Sequence, residues 1–308
     1  MASWLATTRW TDTKVTSIKE VVKKINENEG NFDTNNDNAL NYKNLSVSES
    51  DIFQIQIEDK KIQYKIINIS YDTVFPGMSD ITLRTQNHKA IIVVYEFSNK
   101  IYYITNLNSK AQLILRRMLG YTGRKEIENM NIDLPNGIFM WLIQKVFTEN
   151  NEFTISGIDQ ADEKIVIDSI VGLRGETQDE NKLQAEGDTV LNLLTVLSFI
   201  LESDKLRQLI FNAECVGHEN IPIRLNDKGY VSINSEDYDG VFEDFDTSKK
   251  KAAILLLVYN GILPHLIESY YEEKSDGSWN KEKRNDFLDQ IQNSLIDRLE
   301  TRKKEQID

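Results

Sequence analysis

Between Glu96 and Glu126 the chain carries no acidic residue, yet it holds Lys100, Lys110, Arg116, Arg117, Arg124 and Lys125. Cations at that density can neutralise phosphates and release their counterions. Ala111, Ile114, Leu115 and Met118 share one face of a helix over 109–119, with Lys110 and Arg117 beside that face and Arg116 opposite. Gly120-Tyr121-Thr122-Gly123 then lies between two helical segments, where free backbone N–H groups could converge on an anion. Tyr102, Tyr103 and Tyr121 could stack on bases. The expected nucleic-acid-binding residues are therefore Lys110, Arg116, Arg117, Tyr121, Arg124 and Lys125. The competing reading is a basic face that pairs with acidic residues elsewhere in the chain or in a second copy.

Other constellations fall short of a complete site. Phe32 to Leu40 resembles the start of an EF-hand calcium loop, with oxygens at Asp33, Asn35 and Asp37. Asn38 replaces the glycine of the turn, and Asn44 stands where a bidentate Glu should close the shell. An Asx-turn loop is the expected structure, and no metal is assigned. A second acidic cluster at Asp237, Asp239, Glu243, Asp244 and Asp246 lacks a preceding helix. Asp168, Glu176, Lys164 and Arg174 supply the residue types of a metal-dependent nuclease, without its strict spacing. His88, His218 and His265 form no HExxH, and Cys215 with His218 has no recognisable third member. Neither GxxxxGK[ST] nor GxGxxG occurs, so no cofactor is expected.

These side chains must be held by a mixture of helices and strands. Val15, Ile18, Val22 and Ile25 recur at helical spacing, followed by the Asn/Asp-rich stretch from Gly30. Alternation predicts one hairpin over 52–57 and 62–70 and another over 90–97 and 101–105. Pro135 opens a helix through Trp141 to Phe147. The pattern restarts after Asn150-Asn151 with strands over 152–158 and 164–173, then a polar loop over 174–186. Residues 188–202 are apolar almost all round and read as a central buried helix rather than a surface one. Strands are expected near 206–214, 221–225 and 229–233, and a helix over 248–273 interrupted at Gly261 and Pro264. The last helix, 280–306, carries Leu288, Ile291, Leu295 and Leu299 on one stripe.

The fold expected is α+β, in two lobes (1–150 and 151–308), each a mostly antiparallel sheet with packed helices, ending in a long C-terminal helical segment. Of the 308 residues 40% are hydrophobic and 28% charged, enough apolar content for a packed core. Net charge is −13, but residues 1–150 carry +1 and residues 151–308 carry −14, so only the first part escapes the long-range repulsion of polyanions by an acidic chain. The single Cys215 suits a reducing compartment, and neither a leader nor an apolar run of spanning length is apparent. Cytoplasmic localisation is expected, and the Ile, Asn and Lys content fits an AT-rich bacterial genome. The functional expectation is a non-catalytic binding or assembly subunit of a bacterial intracellular system. It would engage nucleic acid or a protein partner through the first lobe and form a homodimer through the second. No residue establishes the phage-defence setting considered for it. A metal-dependent nuclease using carboxylates of the 168–188 region is the alternative from another class.

Overall fold

The computed structural model describes residues 3–123, 125–155, 164–177, 182–187 and 190–305. It is an α+β protein with a long C-terminal helix, and strand pairing within each part of the sheet described below is antiparallel. Contacts group the chain into two compact units. One comprises Leu5–Ile132 with Phe245–Leu255; the other comprises Asp133–Asp244 and Leu256–Asp308 with Met1–Trp4. Pro135 to Asn150, which the sequence pattern joins to the first part, therefore groups with the second. The break at Asn150-Asn151 is the short connection between a helix and the next strand.

The first unit runs β1 (Leu5–Asp12), α1 (Ile18–Asn28), β2 (Asn41–Ile57), β3 (Lys60–Val74), β4 (Thr85–Phe97), β5 (Lys100–Thr105), α2 (Ala111–Met118) and β6 (Ile127–Asn129). Its sheet has the order β2-β3-β4-β5-β1-β6. Ser98 and Asn99 both take positive φ (50° and 59°) in the two-residue β4–β5 turn, which matches the right-handed twist of the flanking strands. One face of the sheet buries Ile67, Ile69, Ile92, Val94 and Ile101 against Ile18, Val21 and Ile25 of α1 and Ile114, Leu115 and Met118 of α2. Strand β2 is the outer edge, and its pairing with β3 slips between Lys43 and Ser46 and again between Glu49 and Ile52.

The second unit continues with α3 (Ile138–Phe147), β7 (Glu152–Thr154), β8 (Lys164–Thr177), β9 (Lys182–Glu186), α4 (Leu194–Glu202), β10 (Ser203–Cys215), β11 (His218–Asn226), β12 (Val231–Ile233) and β13 (Asp239–Gly240). The order is β7-β8-β10-β11-β12, with β9 on β8 and β13 on β11. Trp141 anchors α3, with ring centroids 5.2 Å from Phe153 and 5.5 Å from Tyr270. Its neighbour Lys145 is buried and pairs with Glu273 Oε1, while Trp141 Nε1 donates to Glu273 Oε2 at 2.9 Å.

Three helices follow: α5 (Thr247–Leu257), α6 (Leu263–Asp276) and α7 (Lys281–Glu305). Asp246 caps α5 by accepting from the amides of Ser248 and Lys249, both at 3.1 Å. Between α5 and α6 the interruption expected at Gly261 and Pro264 takes the form of a π turn over Val258–Ile262. Pro264 has no N–H to give Asn260 and would press on that carbonyl, so the backbone widens by a residue and continues. By length and composition Thr247–Asp276 could cross a membrane, but most of its apolar window is buried within the protein. Helix α4 buries Val196, Leu197, Phe199 and Ile200 and exposes Leu201, with Leu193 exposed just before it, so it is one-sided rather than central; residues 188 and 189 of the expected helix lie outside the described residues. It packs on α7. There Phe287 and Ile291 are buried, Leu288 and Leu295 partly so, and Leu299 is exposed. Gln306 lies outside the described residues.

Candidate functional site

The basic segment folds inward. Arg116, in the last turn of α2, is half-buried, with Nε 3.7 Å from Glu126 Oε2, the first acid after the interval. Arg117 places its guanidinium 5.1 Å from the Tyr42 ring centroid, and Nη1 donates to the Phe32 carbonyl at 3.5 Å. Lys110 is half-buried and Lys125 exposed, the latter's carbonyl accepting from Thr13 Oγ1 at 2.9 Å. Arg124 lies outside the described residues.

Tyr121 is positioned by the end of α2. The Tyr121 amide donates to the Arg116 carbonyl at 2.8 Å and the Gly120 amide to the Arg117 carbonyl at 3.2 Å, the paired bonds of a Schellman motif. Gly120 supplies the left-handed residue (φ 67°), and a Cβ there would meet the Asn28 side chain at 3.0 Å. The chain so turned brings Tyr121 Oη to Asp12, 3.0 Å from Oδ1 and 2.9 Å from Oδ2. Tyr103 donates to the same Oδ2 at 2.8 Å, and the amides of Lys14 and Val15 donate to Oδ1. Burial first, then Asp12, raises both phenols above their ordinary pKa, and Glu126 and Glu20 add to the effect at Tyr121. Tyr121 therefore sits among Asp12, Glu126 and Glu20 on one side and the Lys24 ammonium, 4.8 Å from its ring centroid, on the other. Sequence reasoning misses Asp12 because its partners lie roughly a hundred residues away.

The remaining constellations are also engaged within the chain. Asp33 Oδ1 accepts the Asn44 amide at 3.0 Å, and Asn36 and Asn41 close the loop around it, as an Asx-turn network does. Asp168 and Glu176 are eight residues apart along β8, roughly 26 Å at the usual strand rise, too far to share one ion. Glu176 is instead held by Arg207 at 2.7 Å, which keeps its carboxyl below the usual range. Lys164 pairs with Glu152 at 2.6 Å. Among the described residues no three His, Cys, Asp or Glu side chains are placed to hold a metal.

Cys215 and His218 are register partners across the β10–β11 turn, and the imidazole is engaged by a phenol. His218 Nδ1 lies 2.7 Å from Tyr238 Oη, with the Phe242 ring centroid 4.7 Å away. Gly240 permits the packing, since a Cβ there would meet the Gly217 carbonyl and Tyr238 Oη at 2.7 Å. Burial pushes the imidazole down to about 4, so at neutral pH it offers no cation to lower the thiol's pKa. A base depressed in the folded state stabilises the fold fully above its unfolded value of 6.5. That contribution falls as the pH drops towards about 4 and is gone below it. The urea midpoint should therefore decline more steeply between pH 6.5 and 4 for the parent than for His218→Gln; parallel slopes would remove His218 as the cause.

The most exposed apolar side chains of the first unit lie together on the β3–β4 connection, where Met78 is fully exposed, Leu83 is 82% exposed, and Phe75 and Ile81 are about half exposed. The loop is fastened from within. Arg84 donates to the carbonyls of Phe75 at 2.7 Å and Ser79 at 2.9 Å, and Asp80 accepts from the amide and hydroxyl of Thr82 at 2.8 and 2.6 Å. No known protein family matches the sequence, and no curated protein matches it.

Proposed function

We propose that the chain is a non-catalytic assembly subunit that docks a second copy of itself through the β3–β4 connection. The observation that carries this reading is the fastened loop: Arg84 and Asp80 fix its backbone while Met78, Ile81 and Leu83 stand in water. Apolar side chains held rigidly outward contribute to binding without a large ordering cost, and clustered exposure of this kind marks protein interfaces. A second copy is the occupant argued for because the chain carries another such exposure, with Leu193, Leu201, Ile296 and Leu299 on α4 and α7 or their flanks. Its charge is also segregated, +1 before residue 151 and −14 after it, which favours contact between unlike parts. The nucleic-acid reading of 110–125 draws less support, because Arg116 and Arg117 make contacts inside the chain, although the Nε of each has no hydrogen-bond partner among the described residues.

Light scattering at micromolar concentration tests the proposal. The parent chain should have the mass of a dimer or larger assembly, and Met78→Asp with Leu83→Asp should reduce it to a monomer. Because both positions are exposed, stability should change by no more than about 0.5 kcal/mol per site. A parent that stays monomeric, or a variant of unchanged mass, would refute it.

A further inference from the structure

The second unit, acidic in total, contains a cleft of about 710 Å³ whose charged lining is mostly cationic: Lys205, Lys274, Lys281 and Arg284 against Asp227 alone. Lys205 and Asp227 approach within 3.6 Å of each other, while Lys274, Lys281 and Arg284 are exposed. Two of these cations sit where helix physics disfavours them. Lys281 and Arg284 lie in the first turn of α7, together with Lys283 and only one acid, Glu282. The positive end of a helix dipole repels such charges, so the arrangement costs stability that a bound anion would return.

The start of a second helix faces the same space. Helix α3 begins at Gly137 (φ 91°) with no side-chain cap, and Phe139 and Met140, whose first-turn amides have no intrahelical acceptor, line the cleft. Helix-start amides without intrahelical acceptors beside a concentration of cations are the complement of an oxyanion. Leu134, Met140, Leu206 and Trp279 give the cleft an apolar wall as well. A volume of this size suits a ligand well beyond inorganic phosphate.

We infer that this cleft is a binding site for a phosphate-bearing ligand of nucleotide size, its phosphates held by Lys274, Lys281, Arg284 and the start of α3 and its body lying on the apolar wall. The phosphate could come from a free mononucleotide or from the end of a nucleic-acid strand. Calorimetric titration of the full chain with ATP, AMP, inorganic phosphate and a short 5′-phosphorylated oligonucleotide separates these sources.

ATP or the oligonucleotide should bind, more tightly than inorganic phosphate and more weakly as salt rises. Replacing Lys281 and Arg284 by Glu should weaken binding about tenfold or more, each being a charge-assisted contact. The same double variant should melt no lower than the parent, because acids replace cations at a helix N-terminus. Affinity and stability should thus move independently, which a merely structural role for these side chains would not produce. Absence of binding by every probe at millimolar concentration would overturn the inference, as would equal binding by parent and variant. Either result leaves the docking loop untouched.

Discussion

Glu273→Leu should destabilise the protein by about 3 kcal/mol, because it removes the partner of a buried cation. The Lys145 side chain is 7% exposed and its ammonium pairs with Glu273, which also accepts the indole N–H of Trp141 at 2.9 Å. Substitution strands both donors among apolar side chains, and unsatisfied groups of this kind cost more than the net value of the bonds they made. The control is the double variant Lys145→Met with Glu273→Leu, which replaces the pair by apolar side chains of similar length. It should recover much of the loss, since apolar replacement of a buried pair is often close to neutral. Urea midpoints of parent, single and double variants decide the matter. A double variant as unstable as the single one would assign the effect to Trp141 packing instead.

Ile291→Asp should cost about 4 kcal/mol or more, enough to unfold the second unit rather than to dissociate an assembly. Ile291 is fully buried, next to Phe287, whose ring lies 5.6 Å from Phe147 of α3. The stripe on α7 therefore divides along its length: the early turns complete the chain's own core, and the later ones do not. Leu299 is 42% exposed and Ile296 45%, so Leu299→Asp should leave the unfolding midpoint nearly unchanged. Circular dichroism with urea distinguishes the two substitutions. Equal effects would mean that burial along α7 does not follow this division.

What is legible in the sequence follows from the range of the interactions concerned. Helix α1 and the β4–β5 hairpin are local patterns, and period 3.6, period 2 and the Ser98-Asn99 turn reveal them directly. Strand β1 escapes such a reading because Leu5–Asp12 is rich in Thr and shows no apolar alternation. Its buried threonines are made acceptable by bonds to distant carbonyls, Thr11 Oγ1 to Ile101 at 3.0 Å among them. The polar run over 174–186 hides the end of β8 and the whole of β9 for a different reason: exposed edge pairing needs little apolar signal. The basic segment is visible as composition, but its destination depends on Asp12, Phe32 and Tyr42, all far away in sequence. Neither the fastened β3–β4 connection nor the cationic cleft shows any spacing rule, since their members converge only after folding.

The slipped pairing of β2 bears on how safely the chain can be concentrated. A seventeen-residue edge strand would be a long template for fibre growth, but its irregularities break it into short runs, 41–43, 46–49 and 52–57. Only the last, Ile52-Phe53-Gln54-Ile55-Gln56-Ile57, reaches the roughly six uncharged, β-prone residues that a steric zipper requires. Glu49 and Asp51 precede it and Glu58, Asp59, Lys60 and Lys61 follow, so charges guard both ends. Along this edge strand the liability to amyloid is thereby confined to one hexapeptide and held in check by its own neighbours.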